Sequence, residues 1–471
     1  MLFNSFEFII FFPLVCIGYF LIPRTRWRNL FLLLASYYFY MCWKPGYALL
    51  IFTSTVLTYV CGRIVEQTSE NRRRQKTFLI ISLVINFAIL FFFKYFNFLG
   101  ESISMVLTAI GIGWHVPRLD VLLPVGISFY TFQAVGYSID VYRGTIRSER
   151  NFITYALFVS FFPQLVAGPI ERARNLLPQF HEEHPFIANE AIEGLKQMLY
   201  GFFMKLCVAD VLAEYVDAVF NNVHHHSGTS MALATIFFTF QIYCDFGGYS
   251  NIAIGAARVM GFRLMENFHR PYLSLSIKEF WRWWHISLSS WFADYVYIPL
   301  GGNRVSYPRH MFNLMVTFLV SGLWHGANWT FVVWGALHGC FQVVGNIWRK
   351  YVHQPQHKTA LSRLASIVGC FLLVAFAWIF FRANSVGDAF TIVGKIFVDH
   401  GPLFVDFSSM VHGFMALAIL LFKDVKDELG WNIHLMSSQR PIIRSLSVAA
   451  LLAYILLFGV FSNGQFIYFQ F

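Results

Sequence analysis

The chain has 471 residues, of which 57% are hydrophobic, 19% aromatic and only 13% charged, and its mean hydropathy is +0.55. Soluble domains run at about 45–50% apolar and about 25% charged residues, so a soluble globular enzyme and a disordered chain are both excluded. The formal net charge of +10 does not point to nucleic acid either, because the basic residues fall between apolar runs, as in loops that face the cytoplasm.

The expected fold class is therefore an all-α polytopic membrane protein, a single integral membrane domain over 1–471. A spanning helix needs roughly 20 apolar residues. In chain order the candidates are 6–23, 29–43, 46–62, 77–98, 119–137, 152–167, 194–220, 230–247, 310–324, 328–346, 362–381, 408–422 and 445–461. The first reads as a retained helix and not a signal peptide, since Arg24-Thr25-Arg26 follows it where a small-residue cleavage site would stand. Arg24, Arg26 and Arg28 after the first candidate, Arg63 to Lys76 after the third, and Arg143, Arg147 and Arg150 after the fifth place the N-terminus outside. If every candidate spanned, the basic stretch from Arg258 to Arg309 would end outside as well. The conflict disappears if 152–167, which runs into Phe162-Pro163-Gln164 and Gly168-Pro169, dips into the membrane and returns. About 11–13 transmembrane or re-entrant helices then remain (an order set by span length), with both termini extracytoplasmic.

Two regions interrupt this alternation. Residues 248–309 form a cytoplasmic-side interfacial segment rich in Trp, Tyr and Arg, including Lys278-Glu279-Phe280-Trp281-Arg282-Trp283-Trp284-His285. Such a segment either anchors the bundle at the interface or binds anionic groups. The second is the extracytoplasmic tail 462–471, with its aromatic run Phe466-Ile467-Tyr468-Phe469.

Chemistry concentrates on two histidines. His325 lies in Ser321-Gly322-Leu323-Trp324-His325-Gly326-Ala327-Asn328, between two apolar runs. An ionisable group at membrane depth is costly and marks a functional site by default, and imidazole is suited to taking a proton from a hydroxyl. A run of about fourteen helical residues from the cytoplasmic side would place His325 roughly 20 Å into the hydrocarbon. There it could be reached by a tunnel from each face. His285 closes the aromatic stretch 40 positions upstream.

The residues from Ile277 to Ser289, Tyr297-Ile298-Pro299-Leu300-Gly301-Gly302-Asn303-Arg304 and Gly322 to Asn328 resemble the membrane-bound O-acyltransferase family, closest to its bacterial alginate O-acetylase branch. Leu123 to Tyr130, Ile139 to Gly144, Ala167-Gly168-Pro169 and Tyr243 to Ser250 resemble the same branch, so the likeness covers about residues 1 to 385 in matching order. It implies a helical bundle around a central tunnel. His325 would be the catalytic base, and His285 the second polar residue that orients the thioester or stabilises its oxyanion. The donor would be acetyl-CoA or another acyl thioester, with no permanently bound cofactor. The resemblance further implies residence in the bacterial inner membrane, an extracytoplasmic acetyltransferase partner, and an exported polysaccharide such as alginate as final acceptor. Arg282, Trp324, Asn328 and Asp245 are the candidate donor-binding residues. Arg282 reads equally as a lipid headgroup contact, and Asp245 reads better as a helix cap than as a tunnel wall. The tail resembles the Phe-x-Tyr-Phe motif of a small peptide in the related D-alanyl transfer system, which makes Tyr468 a candidate acyl relay; an aromatic-belt anchor is the competing reading. His224-His225-His226 sets no tetrahedral geometry, and no metal is expected. D-alanyl transfer to teichoic acid is the near alternative, and a non-catalytic transporter or export subunit the distant one.

Overall fold

The computed structural model describes residues 1–166, 168–352, 359–461 and 466–467; the proposed relay Tyr468 lies outside them. Among the described residues the regular structure is helical, with no strand. The chain divides into two compact units, Met1–Leu195 with Ala253–Met265, and Lys196–Ile252 with Glu266–Phe471.

The first unit is built from α1 (Phe6–Leu21), α2 (Thr25–Met41), α3 (Ala48–Gln67), α4 (Arg72–Leu90), α5 (Phe96–Ala109), α6 (Ile127–Arg143), α7 (Phe152–Ser160), α8 (Phe162–Leu165), α9 (Ala173–Gln179) and the start of α10 (Ala188–Phe202). α3 packs on α4 and α6, and α2 on α7. Polar side chains join these helices where no water could: Ser54 Oγ donates to Asn86 Oδ1 at 2.6 Å, and Tyr155 Oη to Thr58 Oγ1 at 2.7 Å.

The expected break in 152–167 falls at Phe161, where ψ swings to 112° between α7 and α8. The donor and the acceptor of the Phe162–Phe158 helix bond lost at that break both find other partners. Phe162 N donates to Ser36 Oγ at 3.0 Å, and the Phe158 carbonyl accepts from Gln133 Nε2 at 2.6 Å and Gln164 Nε2 at 2.8 Å. This is what non-helical backbone in a low-dielectric setting requires. The helix expected over 119–137 instead begins at Ile127, after Pro124 and a left-handed Gly126 with φ 73°.

In the second unit the end of α10 passes through a π-helical stretch, Phe203–Ala209, into α11 (Asp210–Phe220). There follow α12 (Gly228–Val259, partly in the first unit), α13 (Ile277–Trp283), α14 (Ile286–Phe292), α15 (Tyr307–His325), α16 (Trp329–Tyr351), α17 (Ala360–Arg382), α18 (Val386–Val398), α19 (Phe407–Glu428) and α20 (Pro441–Phe458). Residues 248–309 are more than an interfacial strip: the segment begins inside α12, and Phe280, Trp281, Trp284 and His285 are all buried. The 13-residue α18, capped by Ser385, is too short for a span-length reading of the sequence to register. Among the described residues six helices are long and apolar enough to cross a membrane: Pro45–Gln67, Arg72–Ala109, Trp329–Tyr351, Ala360–Arg382, Phe407–Glu428 and Pro441–Phe458.

α15 and α16 make a closely packed hairpin because glycines face each other across it. A Cβ on Gly322 would lie 2.3 Å from the Phe331 carbonyl oxygen, and one on Gly335 would lie 2.5 Å from that of Phe318. Small residues at such a crossing let backbones approach and gain dispersion contacts. Gly322→Ala and Gly335→Ala should each destabilise the detergent-solubilised protein by about 1–3 kcal/mol, the cost typical of overpacking. Gly369→Ala in α17, where a Cβ meets nothing within 4 Å, should be neutral or stabilising by up to about 1 kcal/mol. Thermal unfolding midpoints of the three variants check the contrast.

Candidate active site

His325 is the last residue of α15 and sits where the chain must turn at once into α16. Gly326 is extended (φ −159°), and a Cβ there would fall 2.0 Å from Cε2 of Phe331. Asn328 then caps α16, its side chain accepting from Thr330 N at 3.0 Å while Nδ2 reaches the Asn384 carbonyl at 3.4 Å. The motif therefore reads as helix end, tight passage and cap. Asn328 is committed to the turn that positions His325.

His285 comes from a second sharp turn. Ser276 and Glu279 cap the start of α13: Ser276 Oγ accepts from Glu279 N at 3.2 Å, and the Glu279 carboxylate accepts from Leu275 N at 2.7 Å. At its other end, Trp284 is extended and His285 has φ 44° and ψ 54°, left-handed values that a non-glycine residue rarely adopts. Such strain persists only where neighbours enforce it. Here the segment 267–269 clamps the turn through two backbone bonds, Ile286 N to the Asn267 carbonyl at 2.9 Å and His269 N to the Trp283 carbonyl at 3.0 Å.

The Asn267 side chain completes the clamp. Its Oδ1 accepts from Ser287 N at 3.2 Å and Ser287 Oγ at 2.9 Å and lies 3.1 Å from His285 Nδ1, while its Nδ2 donates to Ser250 Oγ at 3.2 Å. A backbone N–H can only donate, so the oxygen of this amide faces His285. His285 Nδ1 therefore carries a proton, which leaves Nε2 as the ring nitrogen that can exchange one.

The two turns bring the imidazoles together: the His285 and His325 ring centroids are 6.4 Å apart. Trp324 lies against both, at 6.1 Å from His285 and 5.0 Å from His325. Trp334 and Phe381 close the far side of His325 at 4.9 and 5.4 Å. His338 shares the Trp334 ring at 4.9 Å and accepts from Trp281 Nε1 at 3.1 Å, so it belongs to the aromatic wall and not to a tunnel.

A cavity of about 630 Å³ opens beside this pair, between α13, α14 and α15. Lys278 and Arg282, one helical turn apart on α13, line it with Tyr297, Thr317, Ser289 and Ser321. Ser289 and Ser321 are each one turn from a histidine, four positions after His285 and four before His325. Neither histidine is on the cavity wall, and His325 is only 2% exposed. The cavity stops at Ser289 and Ser321 and does not reach His325, to which the sequence reading expected a tunnel to lead. Asp245 lies elsewhere, deep inside α12 and not at a helix end, paired with Lys205 at 2.5 Å. Asn267, Ser287 and Lys278 were missed from the sequence; Ser276-Ile277-Lys278-Glu279 carried a readable helix-start signal, but nothing local marked Asn267.

The sequence profile of the membrane-bound O-acyltransferase family matches residues 143–383, which contain both histidines and Asn267. The chain belongs to the membrane-bound O-acyltransferase family. It is an O-acyltransferase and a multi-pass membrane protein, which sets aside the reading as a non-catalytic transporter. It is similar to a probable alginate O-acetylase, AlgI, of Pseudomonas aeruginosa, 40% identical over 84% of this chain and 75% of that one. It is also similar to a peptidoglycan O-acetyltransferase of Helicobacter pylori, at 34% over 83% and 79%. A teichoic acid D-alanyltransferase of Streptococcus thermophilus is more distant, at 29% over 51% and 61%.

Asn267→Ala should free the His285 tautomer and its turn, lowering acyl transfer by ten-fold or more, within the range that positioned acid–base groups contribute. Leaving buried donors unsatisfied should cost about 1–3 kcal/mol of stability besides. Steady-state rates beside unfolding curves separate the two effects, and unchanged rates in a destabilised protein would contradict the assigned role.

Proposed function

We propose that this protein is a membrane-bound O-acetyltransferase of the bacterial inner membrane, with both termini extracytoplasmic. It moves an acetyl group from a cytoplasmic thioester, acetyl-CoA, across the bilayer to an extracytoplasmic acetyltransferase partner, for O-acetylation of an exported polysaccharide such as alginate. The observation that carries this reading is the meeting of His285 and His325 within 6.4 Å beside a cavity whose wall bears Lys278 and Arg282. Acetyl transfer is preferred to D-alanyl transfer because the acetylating relatives match at higher identity and over more of the chain.

In this mechanism Lys278 and Arg282 hold the donor's phosphates at the cavity mouth, where guanidinium pairs with phosphate through two bonds. Arg282, packed at 5.1 Å over Trp283, is partly held in place for that task. The apolar wall of Trp281, Leu288 and Phe318 receives the pantetheine arm and brings the thioester past Ser289 and Ser321 towards the imidazoles. His325 takes the proton from the acceptor hydroxyl as its oxygen attacks the thioester carbonyl. The C–S bond then breaks, and the departing thiolate takes that proton back from His325. His285, with its proton at Nδ1 held by Asn267, orients the thioester; it stabilises the oxyanion only once Nε2 is protonated as well. Trp324 packs against both rings. Tyr468 is the proposed first acceptor, its phenol carrying the acetyl group as an ester to the partner's nucleophile.

With labelled acetyl-CoA, His325→Ala should reduce transfer at least 10²-fold, the scale of a lost general base. Tyr468→Phe should leave thioester hydrolysis intact while abolishing transfer to the partner. Wild-type rates in His325→Ala would overturn the reading. Lys278→Ala and Arg282→Ala should raise KM for acetyl-CoA about ten-fold, on the order of a charge-assisted contact, with kcat nearly unchanged and the effect shrinking in high salt.

A further inference from the structure

A buried charge cluster in the second unit plays no part in the chemistry above. Lys205, 0% exposed, contacts Asp210 at 2.8 Å and Asp245 at 2.5 Å. Two carboxylates face one ammonium, so the cluster has an excess of hydrogen-bond acceptors in a region where each must be satisfied. The C-terminal segment supplies one donor, Ile467 N to Asp245 Oδ2 at 2.7 Å, while Asp210 Oδ2 is buried with no hydrogen-bond partner among the described residues.

A second backbone bond ties the same segment to the same place. The π-helical stretch Phe203–Ala209, which contains Lys205, widens the helix, and the Leu206 carbonyl accepts from Val460 N at 3.0 Å. Phe466 and Ile467 are 0% and 3% exposed. The Phe466 ring lies 4.4 Å from that of Tyr249, which also receives Lys205 at 5.9 Å, and 5.9 Å from that of Phe246. Phe246 in turn meets the His285 ring edge-on at 4.5 Å. One aromatic ring thus separates the seated segment from the active-site pair.

We infer that Lys205, Asp210 and Asp245 form a seat for the chain's own C-terminal segment, with Asp245 a positioning residue that fixes Ile467 beside the wall of His285. The inference rests on the reading of Tyr468 as acyl acceptor for its functional consequence: loss of the seat impairs acetyl transfer to the partner. Lys205 holds the Asp245 carboxyl group oriented, Asp245 takes the backbone N–H regardless of side chain at 467, and Phe466 supplies the apolar contact.

The full-length protein tests this in two ways. Carboxypeptidase digestion followed by intact-mass measurement should stop before Ile467 is released in the wild type, whereas Asp245→Ala should lose Ile467 at least ten-fold faster. Ile467→Pro removes the donated N–H without altering a residue of the ion cluster, so it guards against simple misfolding of Asp245→Ala. It should lower acetyl transfer to the partner at least ten-fold while donor hydrolysis stays within two-fold. Equal release of Ile467 in wild type and Asp245→Ala, or full transfer by Ile467→Pro, would overturn the seat. Failure of the relay looks different: Tyr468→Phe would then transfer normally, while Asp245→Ala still exposed the segment to digestion.

Discussion

The active-site geometry depends on the side-chain amide of Asn267. A histidine in left-handed backbone is strained, and the turn between α13 and α14 would relax without a partner that binds both its backbone and its ring. Asn267 does both: its carbonyl holds Ile286 N, and its Oδ1 holds Ser287 and faces His285 Nδ1. One amide therefore fixes a backbone conformation, a ring orientation and a tautomer together. Ser250 on α12 fixes the amide itself.

Around that amide, the glycine-to-glycine approach of α15 and α16 decides where the second imidazole stands. His325 ends its helix because Phe331 leaves no room for a side chain at 326 and Asn328 starts the next helix two residues later. Aromatic rings fill the remaining space, and Trp334 touches both His325 and His338. A tightly packed aromatic wall keeps water from the imidazoles, which strengthens electrostatic interactions within the site. The cavity bearing Lys278 and Arg282 ends one turn short of each ring, and the proposed function has the acyl donor arrive from it.

Much of this was legible in the chain. Long apolar runs gave the helices, since length and hydropathy suffice for a spanning segment, and Pro163 marked the break in 152–167 within two residues. The Trp-His-Gly motif and its upstream histidine singled out the two imidazoles. What the sequence hid is long-range. Asn267 sits 18 positions from His285 in an irregular segment, and no periodicity reports a contact of that kind. Asp245 looked like an edge residue because Gly247 and Gly248 follow it, yet α12 runs through those glycines to Val259. Lys205, the charge that explains Asp245, lies in a π-helical stretch that looks like ordinary helix in sequence. Asn328 was legible as a chemical group but not as a cap, which only the abrupt end of α15 reveals.

The central claim is that His285 and His325 act as one catalytic unit, and a double-mutant cycle on single-turnover acetyl transfer tests it most directly. Residues that work as a unit lose nearly all their contribution when either is removed. The rate of the His285→Ala/His325→Ala variant should therefore fall little below that of the slower single variant. A double variant whose loss is the product of the two single losses would show that the rings act independently, and would contradict the account.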